Sequence, residues 1–371
     1  MSSNAKESIS ARIRVGLLFG GESPEHEVSI ATARSIADVI DRHRFDVQPI
    51  GVARNGVWLV HGDPFARLTA GEQPLRGSIP YLPLEDGGTT APLPDVFFTV
   101  IHGAGGEDGR IQGYFELLRR PYTGAGVLAL AAGMDKWIAR QIWQSVGLTT
   151  VPFLGITETR WRKSPRQVMD EVRPLGSPLF VKPANLGSSI GVAKVKSEDA
   201  LAPAIEQAFR FDRRVIVDTA IDAREIELGV LGGDEVLVSV PGEVLVAEEF
   251  YTFHDKYVGG KSSTKVPADL SSVQVDELQR AAALAFQSLD GYGMGRVDFF
   301  LCRKTGTLYL NEINFCPGFT RISMYPKLME TVGVPYPELI TRLITLALAR
   351  RAQESTKVKD FSSGSNWYAQ P

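Results

Sequence analysis

The stretch that most restricts the fold is residues 13–21, IRVGLLFGG, a short apolar run closed by two glycines. Such a run reads as a buried strand ending in a glycine turn. The next segment, EHEVSIATARSIADVID, places Ala33, Ile36, Ala37 and Ile40 at helical spacing, which makes an amphipathic helix. Strand signatures recur near Phe45–Val52 and Val96–Ile101. Strand, helix and strand in this order, with short turns, make a parallel sheet.

The remaining organisation follows from the same signals. Gln73 to Asp95 is rich in Pro and Gly and reads as loop, and the turn PYTGAG closes a first unit near residue 124. A second unit, 125–221, holds a helix from Asp135 to Gly147, the strand PLFVKPA, a glycine loop, the strand GVAKVK, a helix and the strand VIVD. A third unit, 222–351, holds the strands EIELGVL and EVLVSV, a long loop at 250–270, a helix at 274–290, a hairpin at 295–314 and a last helix at 337–351. Residues 352–371 read as a frayed tail. Lys plus Arg total 40 against 43 Asp plus Glu, so there is no basic excess of the kind a nucleic-acid binder needs. No run approaches the roughly 18 apolar residues of a membrane span. Two cysteines, Cys302 and Cys316, make no disulfide framework and suit a reducing compartment, so a cytoplasmic location is expected.

The hairpin GRVDFFLCRKTGTLYLNEIN carries the clearest chemistry. Alternation puts Arg296, Asp298 and Phe300 on one face of the outgoing strand, and Glu312 and Asn314 on one face of the return strand. A three-residue connection, Lys304-Thr305-Gly306, sets Asp298 nearly opposite Glu312. Two acids facing each other across a ladder repel. Alone, the pair reads as a solvated acidic face. With Asn314 beside it and a glycine turn just after, an oxygen-only site for Mg²⁺ is the stronger reading.

Three other motifs are weaker. VKPANLGSSIGVAKV sets a lysine at a strand end before a Gly/Ser loop whose N–H groups can wrap phosphate, although such a run alone is commonly a plain turn. The opening glycines do not fit G-x-G-x-x-G, and Asp255 stands where a P-loop ending in Gly260-Lys261-Ser262 needs glycine. His102, Glu107 and Asp108 follow a strand of the parallel sheet, where ligands bind, but a lone histidine is more often structural. In GESPEHEVS, helix capping alone accounts for Glu25 and Glu27.

Twelve ordered motifs carry a resemblance: GGESPEHEVS, HGAGGEDGRIQG, GMDKW, FVKPANLGSSIGV, REIELGVLGG, SVPGEV, FHDKY, VPADL, RVDFFL, NEIN, PGFT and ISMYPKL. Together, from about residue 13 to 351, the chain resembles the D-alanine–D-alanine ligases of the ATP-grasp superfamily. The resemblance implies an α/β fold of three domains, with a Rossmann-like parallel sheet first and α+β central and C-terminal units holding ATP between them. It implies ATP as co-substrate, two Mg²⁺ ions with Mn²⁺ able to replace them, a homodimer, and no nucleic-acid or membrane partner. By position, Lys136 and Lys182 resemble the phosphate lysines, and Ser188, Ser189 and Gly191 the phosphate loop. Asp218 to Ile221 resembles the adenine hinge, Glu225 the ribose acid, and Lys256 and Tyr257 a mobile lid. Asp298, Glu312 and Asn314 match the metal ligands. Glu25, Ser188 and Tyr257 match a triad that orients the first D-alanine, with His102 nearby. Arg296 and the Gly318 N–H match an oxyanion site, and Ser323 with the Met324 backbone the site for the second carboxylate.

The chain departs from the family pattern at Asp218, where Glu is usual, at Phe315-Cys316, which replaces Thr-(Met/Leu/Ser), and at Arg321, where a small or neutral residue is usual. The departures bear on substrate identity more than on reaction type. The expected activity is dipeptide synthesis for cell-wall precursors. The rivals are a sister ligase with another acceptor, such as a D-hydroxy acid or D-serine, and a non-catalytic ATP-binding regulator. The regulator should have lost metal ligands or phosphate lysines, and this chain keeps them. Arg321 either meets solvent or adds charge beside the acceptor, with Phe315 reshaping the pocket wall.

Overall fold

A computed structural model describes residues 12–75, 93–187, 190–245 and 263–358. Three sheets organise it. In the first, β1 (Ile13–Gly20) pairs in parallel with β2 (Phe45–Val52) and β4 (Val96–Thr99), and the two-residue β3 (Trp58–Leu59) adds an antiparallel edge. Val15, Leu17 and Phe19 point into one core and Leu18 into another, so β1 is covered on both faces. The first of these cores is finished from the far end of the chain. Phe319, Tyr325, Met329, Leu339 and Leu343 pack beside Val15, Leu17, Phe98 and the helix His26–Val39.

The second sheet is antiparallel throughout, in the order β5 (Phe153–Thr157), β8 (Arg214–Thr219), β6 (Leu179–Pro183), β7 (Ala193–Val195). Leu179, Val181, Val215 and Val217 face a core built with the helices Pro165–Val172 and Glu198–Phe209. Phe180, Lys182 and Asp218 line a cleft. One face is therefore apolar and covered, and the other polar and open.

The third sheet runs β12 (Ser263–Lys265), β11 (Gly242–Leu245), β9 (Ala223–Gly232), β13 (Gly293–Cys302), β14 (Leu308–Asn314), with β10 (Val236–Val238) also on β9. Its Ile226, Leu228, Val297, Phe299 and Leu310 pack with the helices Ser272–Gln287 and Lys136–Ser145. Lys136–Ser145 precedes the second sheet in the chain but buries Ala139 and Trp143 in this third core. The last helix, Tyr336–Ser355, runs four residues past its expected end, and residues 359–371 lie outside the described residues. Part of the expected 250–270 loop is strand, since β12 pairs antiparallel with β11. The mixed α/β architecture with an N-terminal parallel sheet matches the sequence expectation. No described helix is long and apolar enough to cross a membrane.

Candidate functional site

The polar faces of the second and third sheets bound a cleft of about 710 Å³. It continues into a lobe of about 690 Å³ that also touches the first sheet's loops. Lys136, Gly187, Glu227, Arg296 and Glu312 line both lobes.

The wall between the lobes is a row of acids. The ladders place Glu227 of β9 opposite Asp298 of β13, and Asp298 opposite Glu312 of β14. The expected Asp298–Glu312 register is present, but it arises differently. The chain turns through four residues, Arg303–Gly306, with Gly306 at φ +70°. A register shift after Asp298 leaves Asn311 as the extra residue on β14 and restores the pairing. Glu227 was not read as a site residue; its alternation with Glu225 on β9 was the available signal.

Arg296 ties the row together. Its Nε donates to Asp298 Oδ1 at 2.7 Å and lies 3.2 Å from Glu227 Oε2, and its Nη2 donates to Asp298 Oδ2 at 2.6 Å. Burial acts against the Arg296 charge, but Asp298 and Glu227 outweigh it and hold its pKa well above the ordinary value. Lys136 Nζ donates to Leu186 O at 2.7 Å and lies 3.6 Å from Glu312 Oε2. Burial lowers its pKa, Glu312 opposes that, and Lys182 and Arg140 add to it. Asp135 caps the Lys136 helix through the Ile138 N–H and so fixes where the lysine begins. Asn314 shares the Glu312 face, and its Oδ1 accepts from the Cys316 N–H at 2.8 Å. Adjacent carboxylate and amide oxygens lining the cleft fit Mg²⁺ in donor chemistry.

The outer lobe is organised by Asp218, which is 1% exposed. Arg140 Nη1 and Nη2 donate to its two oxygens at 2.5 and 3.1 Å, and Lys182 Nζ lies 2.9 Å from Oδ2. Burial pushes the carboxyl up, but Arg140 and Lys182 outweigh it and hold it below its ordinary value. A carboxylate has about four lone-pair sites, so one remains at Oδ1 for a further donor. Arg140 was missed because its partner is 78 positions away and nothing local marks the pair. Ile221 and Glu225 line this lobe. Gly191 sits at φ +72°, where a Cβ would come within 2.9 Å of Phe211 and Pro183. Ser188, Ser189, Lys256 and Tyr257 lie outside the described residues.

The inner lobe gathers Glu25, His102, Gly318, Ser323 and Met324 from distant parts of the chain. Glu25 precedes the helix His26–Val39, yet its side chain makes no capping hydrogen bond, and it lines the cleft instead. Capping therefore does not account for it. His26 is structural, with Nδ1 2.7 Å from Gly21 O. His102 Nε2 lies 3.2 Å from Thr32 Oγ1, and Nδ1 3.2 Å from Cys316 O and 3.5 Å from Glu107. The Ser323 hydroxyl accepts from the Thr320 N–H at 3.1 Å, and Ser323 precedes the helix Met324–Glu330. Of the departures, Phe315 borders the lobe, whereas Arg321 lies off its lining. The Phe315 ring packs on Phe286, and Gly133 leaves it room. Arg321 is exposed and off the lining, and its N–H donates to Ser35 Oγ at 3.2 Å.

Two sheets clasping a polar cleft, with lysines on one side and an acid row on the other, define an ATP-grasp enzyme. The chain belongs to the D-alanine–D-alanine ligase family. Residues 14–125 match the model of that family's N-terminus and residues 142–345 that of its C-terminus. The D-alanine–D-alanine ligase of Heliobacterium modesticaldum is 46% identical over 346 residues, covering 91% of this chain and 94% of that one. The enzyme of the same name from Geobacillus kaustophilus is 43% identical, covering 93% and 97%. Among solved structures, the VanG D-Ala:D-Ser ligase of Enterococcus faecalis superposes with TM-score 0.80 at 31% identity, covering 91% and 100%. The D-alanine–D-alanine ligase of Coxiella burnetii gives TM-score 0.80 at 31% identity, covering 93% and 97%.

Proposed function

We propose that the protein joins two D-alanines into D-alanyl-D-alanine at the expense of ATP, through a D-alanyl phosphate, for peptidoglycan precursors. The observation that carries this reading is the shared wall. Lys136, Arg296 and Glu312 border both lobes, so a nucleotide in one and amino acids in the other would meet at the same charges.

Asp218 and Ile221 hold adenine, and Glu225 holds the ribose. Lys136, Lys182 and the loop of Ser188, Ser189 and Gly191 contact the phosphates. Asp298, Glu312 and Asn314 hold Mg²⁺, which when bound neutralises phosphate charge. Glu25, Ser188 and Tyr257, with His102 nearby, orient the first D-alanine, whose carboxylate attacks the γ-phosphate. Phosphoryl transfer asks mainly for positioning and charge neutralisation. Ser323 and the Met324 N–H hold the second carboxylate. The second amine then attacks the acyl phosphate carbonyl, Arg296 and the Gly318 N–H stabilise the oxyanion, and its collapse breaks the C–O bond and expels inorganic phosphate. Lys256 and Tyr257, in the lid, exclude water from the acyl phosphate. Domain limits near 124 and 221, a homodimer and a cytoplasmic location complete the reading.

The test is phosphate release with product analysis, offering ATP, Mg²⁺ and D-alanine alone or paired with D-serine or D-lactate. D-Alanyl-D-alanine should dominate. Faster turnover with a D-hydroxy acid or D-serine would replace the acceptor, and no ATP turnover with any pair would return the regulator reading.

A further inference from the structure

His102, Glu107 and Cys316 meet in the wall of the inner lobe, and all three line it. The His102 Nδ1 lies 3.5 Å from Glu107 Oε1 and 3.9 Å from Cys316 Sγ, and one donor atom from each residue falls within 4.8 Å of the others. Tetrahedral zinc, with bonds of about 2.0–2.3 Å, holds its donors roughly 3.3–3.6 Å apart. Side-chain adjustments of about an ångström close this set. His102 and Cys316 are 3% and 6% exposed, so the donors are held by packing.

We propose that His102, Glu107 and Cys316 form a site for a thiophilic divalent cation such as Zn²⁺, separate from the oxygen-only Mg²⁺ ligands. On binding, the Cys316 thiol proton leaves to solvent and sulfur bonds the metal as thiolate. Glu107 gives a carboxylate oxygen. His102 gives the Nδ1 lone pair, giving up its hydrogen bond to Cys316 O, and its single proton resides on Nε2, where Thr32 Oγ1 at 3.2 Å accepts it. Nothing is oxidised or reduced. A thiolate selects against Mg²⁺, so working Mg²⁺ concentrations leave the site to softer ions. The fourth position opens to the lobe that the proposed function assigns to D-alanine. On that reading, zinc here blocks the first substrate.

The experiment uses the full chain in saturating Mg²⁺ and adds Co²⁺ and then Zn²⁺. One equivalent of Co²⁺ should give a thiolate-to-cobalt charge-transfer band that Zn²⁺ bleaches. The band should vanish in Cys316→Ser and persist in Cys302→Ser. Glu107→Gln, which keeps the thiol and the side-chain size, should weaken zinc at least tenfold and covers the case in which Cys316→Ser fails to fold. In turnover assays zinc should inhibit, chelator should reverse it, and Cys316→Ser should need at least tenfold more. No band, or a band lost only in Cys302→Ser, overturns the site. An unchanged zinc midpoint in Cys316→Ser means zinc is acting at the Mg²⁺ ligands and overturns the inhibitory role. The spectroscopic arm needs no activity, so failure of the ligase reading would leave the metal question answered.

Discussion

Two charge clusters meet at Lys136 and follow opposite rules. Around Asp218 one carboxylate faces two cations, Arg140 and Lys182, and the group is almost wholly out of water. Along Glu227, Asp298 and Glu312 three carboxylates face Arg296 and Lys136, and the group borders both lobes. The first cluster is left with an excess of positive charge and the second with an excess of negative charge. A triphosphate carrying Mg²⁺, as proposed above, would match this order with its phosphates toward the lysines and its metal toward the acids. The contrast also separates stability from catalysis. A closed pair cannot lose a member without leaving a buried charge, whereas an acid row eases when one charge is removed.

The largest effect should come from breaking the closed cluster. Asp218→Asn leaves the Arg140 guanidinium buried without its carboxylate and should destabilise by about 3–5 kcal/mol, read from urea unfolding followed by far-ultraviolet dichroism. Because the native Asp218 carboxyl lies below its ordinary value, its contribution is full above about pH 4 and is lost as pH falls through the depressed native value. The native stability should therefore drop more steeply than the variant's below about pH 4. A variant with native urea midpoint would make the two clusters alike.

Next comes the open row. Glu312→Gln should cut turnover about a hundredfold or more, a barrier rise of about 2.7 kcal/mol, while the melting temperature holds or rises. A retained rate above a tenth of native would show that Glu312 does not hold the metal. The smallest effect belongs to a charge outside both clusters. Arg321→Ser should change stability by less than about 0.5 kcal/mol and leave the KM for each D-alanine within about twofold, a change worth under 1 kcal/mol. A selective tenfold rise at the second site would bring Arg321 back to the acceptor.

What the sequence made legible is local. The acid pair of the hairpin could be read because alternation and one glycine turn are short-range rules, although two departures, a longer turn and the Asn311 bulge, had to cancel for the register to hold. Glu25 carried two readings, and only its place in the folded lobe separates them. The Arg140–Asp218 clamp joins a helix packed in the third core to a strand of the second sheet, and no periodicity records that. Phe315 was readable as unusual, but its direction depends on the space above Gly133.

The first sheet's dependence on Phe319, Tyr325 and Leu339 has a consequence for synthesis. Phe98 leaves the ribosome 221 residues before Phe319, its edge-to-face neighbour. At about 5–20 residues per second that interval is roughly 10–45 s. Through it the nascent sheet lacks the side chains that finish its core, and Val15, Leu17 and Phe98 wait for the last helices. The first sheet therefore completes its core only when the last helices arrive, and a ribosome stalled after the acid hairpin would hold a protein with its acid-bearing strands made and its first sheet still unsealed.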